Sequence, residues 1–89
     1  MSKNVSITLQ NTADARPIIE AIRADNPQAE FQDFPSMIKI DCPDRLIIKQ
    51  ESVSEQIGHE WDVELLHLSL ISLAGNIDED DDQFVIAWK

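Results

Sequence analysis

Five consecutive carboxylates, Asp78, Glu79, Asp80, Asp81 and Asp82, constrain this chain more than any other feature. Like charges side by side repel one another and keep their water, so the run has to lie at the surface. Its flanks nevertheless look folded. An apolar stretch covers residues 65–74 before it, and Phe84, Ile86 and Trp88 alternate with Val85 and Ala87 after it. The run is therefore expected as a charged loop between two structured segments rather than as a disordered tail.

The rest of the composition narrows the function. With 17 acidic and 7 basic side chains the formal net charge is −10. Nucleic acid and anionic membranes are poor partners for such a surface, because both require clustered Lys and Arg. A protein with a basic rim or cleft suits it better. The 89 residues predict one domain, with pseudo-halves of about 1–43 and 44–89. A domain of that size buries roughly 60–65% of its extended-chain surface and leaves little room for an internal substrate cavity. Cys42 is the sole cysteine, which excludes an intramolecular disulfide and a thiolate cluster for zinc or iron–sulfur. Neither a secretory pattern nor an apolar run of about 18 residues is present, so the expected setting is the cytoplasm.

Local periodicity predicts the elements. Val5, Ile7 and Leu9 alternate with polar residues, as in a half-buried strand. Ala15, Ile18, Ile19 and Ile22 form one helical stripe, with Asp14 as the expected N-cap and Asn26-Pro27 as the stop. Residues 29–34, 36–42 and 45–49 predict three strands. Ser52 and Glu55 have capping-box spacing ahead of a two-turn helix that ends at Gly58. Residues 61–73 fit either a strand (Leu66, Leu68 and Leu70 alternating) or a helical stripe of Leu65, Leu68 and Ser72; the alternation favours the strand. In order this gives β-α-β-β twice. The expected fold class is α+β: two β-α-β-β halves forming one small domain, with short helices packed on two antiparallel sheets.

No chemical site survives inspection. An EF-hand loop starting at Asp78 would need glycine where Gln83 stands and a terminal glutamate where Lys89 stands. Glu64 and His67 have E-x-x-H spacing, but a di-iron bundle needs a second pair and further glutamates on long helices. Cys42 with His59 or His67 could form a thiolate pair, although a cysteine ending an alternating strand is more often an apolar filler. Gly58 and Gly75 are the only glycines and cannot build a phosphate loop. Trp61 and Trp88 are expected as core or core-edge anchors, with an exposed interface hot spot as the alternative. Catalytic, cofactor-binding and metal residues are therefore all expected to be absent.

Two longer stretches carry a resemblance. Glu51-Ser-Val-Ser-Glu-Gln-Ile-Gly-His-Glu-Trp-Asp-Val63 and Ile71-Ser-Leu-Ala-Gly-Asn-Ile-Asp-Glu-Asp-Asp-Asp-Gln-Phe-Val-Ile-Ala-Trp88 resemble the small effector (coupling) proteins of bacterial multicomponent phenol hydroxylases. Asp25-Asn-Pro27 and Pro35-Ser-Met-Ile-Lys-Ile40 fit the same family, whose wider membership includes the effectors of methane and toluene monooxygenases. The resemblance implies a cofactor-free regulatory component without turnover of its own. Its implied partner is a di-iron hydroxylase served by a flavin/iron–sulfur reductase. Any E-x-x-H ligands would then belong to that partner, not to Glu64 and His67.

The expected docking face comprises residues 74–77 (Ala74, Gly75, Asn76 and Ile77) with Ser69 and Ser72 on the exposed side of the preceding strand. A rival expectation is a small-ligand-sensing module, since paired β-α-β-β halves also occur in such domains. It would require a polar pocket between the halves.

Overall fold

The alternation at the start of the chain becomes strand β1 (Asn4–Gln10), with Val5, Ile7 and Leu9 wholly buried. A computed structural model describes residues 3–88. Helix α1 (Arg16–Asp25) buries Ile18, Ile19, Ala21 and Ile22, and Asn26 closes it as expected. Strands β2 (Glu30–Asp33), β3 (Met37–Pro43) and β4 (Arg45–Lys49) follow. Helix α2 (Gln50–Ile57) ends on Gly58 at φ 83°, a left-handed cap that glycine adopts without a Cβ penalty. A 3-10 turn (Val63–Leu65), helix α3 (Leu66–Ser69) and strands β5 (Leu70–Ala74), β6 (Asn76–Glu79) and β7 (Gln83–Ala87) complete the chain.

All strand pairs are antiparallel. One sheet has the order β2-β3-β1-β5 and the other β4-β7-β6, and the three short helices pack against them. The α+β class is thus as the periodicity predicts. The sheets do not divide between the halves, however. Strand β5 comes from the second half but pairs with β1, so the two halves share a sheet and a single core.

Four local expectations need correction. Helix α1 is capped by Ala15 rather than Asp14; the Ala15 N–H donates to Thr12 Oγ1 at 3.3 Å and to the Thr12 carbonyl at 3.2 Å. Helix α2 starts at Gln50, so Ser52 lies inside it and the capping box does not form. The reason is tertiary. Strand β4 runs straight into the helix, and the Gln50 N–H donates to the Asp82 carbonyl at 2.9 Å, which satisfies an orphan donor without a side-chain cap.

Residues 61–73 are strand only from Leu70 onward. Asp62 Oδ1 accepts from the Glu64 N–H at 3.1 Å and starts a helical stretch in which Val63, Leu66 and Ser69 point inward at i, i+3 spacing. Finally, the acidic run is not a loop throughout. Asp78 and Glu79 belong to β6, paired with Val85 and Phe84 of β7, and only residues 80–82 turn. Asp80 Oδ1 organises that turn by accepting from the Asp82 N–H (2.8 Å) and the Gln83 N–H (3.0 Å).

Candidate functional site

Strands β5 and β6 are consecutive in the chain, and each is the outermost strand of its sheet. The segment 70–79 therefore runs along an open edge of both sheets. Gly75 makes the passage possible. Its φ is 138°, and a Cβ there would collide with Ile86 Cγ2 and approach Val5 Cγ1 to 3.1 Å. Only glycine lets the backbone come this close to the core. Gly75 is therefore the close crossing point between the two sheets.

The other residues expected on the docking face separate. Ser72, Ala74 and Asn76 are exposed along the edge. Ser72 pairs with Thr8 and Ala74 with Ser6, while Asn76 pairs with Ala87 in the second sheet. Ile77 stands opposite the buried Ile86 and is half exposed because no strand lies beyond it. Ser69 contradicts its expectation. It closes α3 instead of standing on a strand, and it is only 7% exposed. The inward stripe of Val63, Leu66 and Ser69 is what buries it.

The same helical stretch exposes what the strand expectation hid. Leu65 and Leu68 point away from the core, with Leu68 75% exposed, and Ile71 follows at an irregularity in the β1–β5 pairing. The signal for this was in the sequence: an Asp62 cap followed by apolar residues at 63 and 66. Behind Leu65 and Leu68 lies a groove of about 440 Å³ that reaches Ile18, Val53, Ile57 and Trp61. Trp61 is a core anchor, as expected. Trp88, in contrast, is 44% exposed and lies outside the core cluster, with its indole N–H donating to the Asn4 carbonyl at 2.9 Å.

The second half of the chain is almost purely acidic in its charged residues. Between Gln50 and Trp88 there is no Lys or Arg, while Glu51, Glu55, Glu60, Asp62, Glu64 and the run 78–82 are all acidic. Asp62, Glu64, Glu79, Asp80 and Asp81 line one shallow depression; Glu60, Asp62, Asp81 and Asp82 line the next, together with Leu65. His67 links α3 to β6. Its Nε2 lies 2.9 Å from Glu79 Oε1, and its ring meets Phe84 edge-on with centroids 6.0 Å apart. His67 thus partners Glu79, not Glu64. Among the described residues no three or more His, Cys, Asp or Glu side chains are grouped to hold a metal ion. Cys42 is buried on β3, opposite Val5. Burial, and secondarily the Asp44 carboxylate, push its thiol above the ordinary value, the opposite of what a nucleophile needs.

Comparisons with known proteins agree in sequence and in shape. The model of the MmoB/DmpM family matches residues 3–87. The chain belongs to the MmoB/DmpM family. It is 46% identical over 89 residues to the stimulatory component DmpM of phenol 2-monooxygenase from Pseudomonas sp. (strain CF600), covering all of this chain and 99% of that protein. Chains in two structures of a phenol hydroxylase–regulatory protein complex are similar in sequence and fold. One is 44% identical with a TM-score of 0.93, covering 98% of this chain and all of the other; the second is 41% identical at 0.90, covering 97% and 100%. The regulatory protein B of soluble methane monooxygenase shares the fold at TM-score 0.75 and 18% identity, over 97% of this chain and 65% of its own.

Proposed function

We propose that this protein is the cofactor-free regulatory component of a multicomponent phenol hydroxylase. It binds the di-iron hydroxylase component and tunes oxygen activation, substrate access and electron transfer. The observation that carries this is the likeness, along nearly the whole of both chains, to a regulatory protein solved in complex with phenol hydroxylase. The acidic surface and the buried, unactivated thiol support the same function.

A protein without redox or nucleophilic groups can change a rate only by binding one conformation of its partner better than another. A preference of about 1–3 kcal/mol moves such an equilibrium by roughly 5–150-fold. Docking along the open edge is supported by the exposure of Ser72, Ala74 and Asn76, with Ile77 as an apolar contact at its end. Gly75 supports that edge from below. Interplay with the reductase then runs through the hydroxylase, whose electron acceptance would change with its conformation. Such a partnership belongs in the cytoplasm.

The test is a titration into hydroxylase plus reductase, following product formation and oxygen use. Activation should saturate near one chain per active site and weaken as salt is raised. Product made by the isolated chain would overturn the proposal. So would indifference of the hydroxylase combined with tight binding of a free metabolite, the behaviour of a ligand-sensing module.

A further inference from the structure

Leu65, Leu68 and Ile71 are large aliphatic side chains, 45%, 75% and 49% exposed, within a span of seven residues. Their segment is held firmly from below. Leu66 and Ser69 are buried, Asp62 accepts from the Glu64 N–H, and His67 is bonded to Glu79. The ridge is therefore preformed and not a frayed end. The groove behind it, about 440 Å³ with Ile18, Val53, Ile57 and Trp61 in its lining, has room for a bulky side chain. Leu65 lines both this groove, whose aliphatic and Trp61 lining is edged by Gln10, Thr12, Asp14 and His59, and the neighbouring acidic depression, so a largely apolar groove and a carboxylate rim are contiguous. That is the anatomy of a protein-binding patch.

We propose that the ridge of Leu65, Leu68 and Ile71 and the groove behind it seat an apolar anchor side chain of the hydroxylase, and that the adjoining carboxylates meet a Lys- and Arg-bearing rim on that partner. This rests on the function proposed above and extends the contact surface beyond the open edge. Charge decides the occupant. A second copy packed about a two-fold axis would bring the same patch face to face, with Asp62, Glu64 and Asp81 opposing carboxylates of their own kind. A basic partner removes that repulsion.

The experiment uses the full chain with hydroxylase and reductase, comparing the unaltered protein with Leu68→Glu and Leu68→Ala. Leu68 contributes little to the core, so the urea midpoints should coincide. Half-saturation of activation should rise by about tenfold or more for Leu68→Glu, as for loss of an interface anchor, and by less for Leu68→Ala. If the unaltered protein activates and both variants half-saturate within about twofold of it, a loss too small for an anchor, the ridge is not the seat. If the unaltered protein sediments as a dimer that Leu68→Glu splits without loss of activation, the occupant is a second copy and the proposal fails. If the unaltered protein does not activate at all, the proposed function itself falls, and the ridge proposal with it.

Discussion

The side-chain amide of Asn26 holds both backbone groups of Ile47. Its Nδ2 donates to the Ile47 carbonyl at 2.8 Å, and its Oδ1 accepts from the Ile47 N–H at 3.0 Å. Strand β4 is the outer strand of its sheet, so Asn26 stands where a neighbouring strand would. The same Nδ2 also donates to the Ile22 carbonyl at 2.9 Å, which ties the end of α1 to the strand. Asn26→Ala strands these partly buried groups and should cost about 1–3 kcal/mol in urea unfolding. Asn26→Asp should cost more at neutral pH, because a carboxylate would face the Ile47 and Ile22 carbonyls. Full stability of both variants would show that water replaces the amide.

Gly75 carries the crossing from one sheet to the other. In Gly75→Ala the new methyl meets Ile86 and Val5 at a φ that side chains rarely adopt. Strain and overpacking together should lower stability by about 2–4 kcal/mol, read as a clear drop in thermal midpoint. Because that strain shifts the backbone of the proposed docking edge, half-saturation of activation should also rise when measured well below that midpoint.

Cys42 makes a pH prediction. Its thiol is pushed up in the folded chain, so the unfolded chain loses that proton first as pH rises. The stability contribution is complete below the ordinary thiol range, and it is lost as pH climbs through that range toward the folded value. The unfolding midpoint should therefore fall in alkaline buffer, and Cys42→Ala should flatten that slope. Iodoacetamide should label the thiol slowly in the native protein and quickly in urea. Rapid native labelling would contradict the burial.

Asn76 tests the open edge. It is exposed and pairs only with Ala87 on its inner side. Asn76→Ala should leave the unfolding midpoint unchanged and raise the half-saturating concentration for hydroxylase activation by about threefold or more, the value of a lost polar contact. Unchanged half-saturation and unchanged maximal rate would remove residues 74–77 from the docking face.

Where periodicity is strong, sequence and structure agree. The alternations around Val5 and Phe84 became β1 and β7, the apolar signals of Met37, Ile38 and Ile40 and of Leu46 to Ile48 became β3 and β4, and the stripe of Ile18, Ile19 and Ile22 became the buried face of α1. They disagree where two periods overlap. Leu66, Leu68 and Leu70 alternate like a strand, yet Leu66 is buried and Leu68 is the most exposed large apolar side chain among those described. The exposure of Ser72, Ala74 and Asn76 was legible in the sequence, whereas the exposure of Leu65 and Leu68 was masked by the alternation, which outweighed the Asp62 cap signal.

By itself the sequence determined the periods, the stops and the charge: which residues face inward in most elements, where α1 and α2 end, and that the molecule is strongly acidic. These are local properties, set by side-chain spacing and backbone preference over a few residues. Only the tertiary structure decided that β5 lies beside β1, that Asp78 and Glu79 join a strand and that Asn26 closes the edge of β4. Each of those outcomes depends on backbone groups finding partners far away in the chain, and a short window of sequence carries no record of which partner is near.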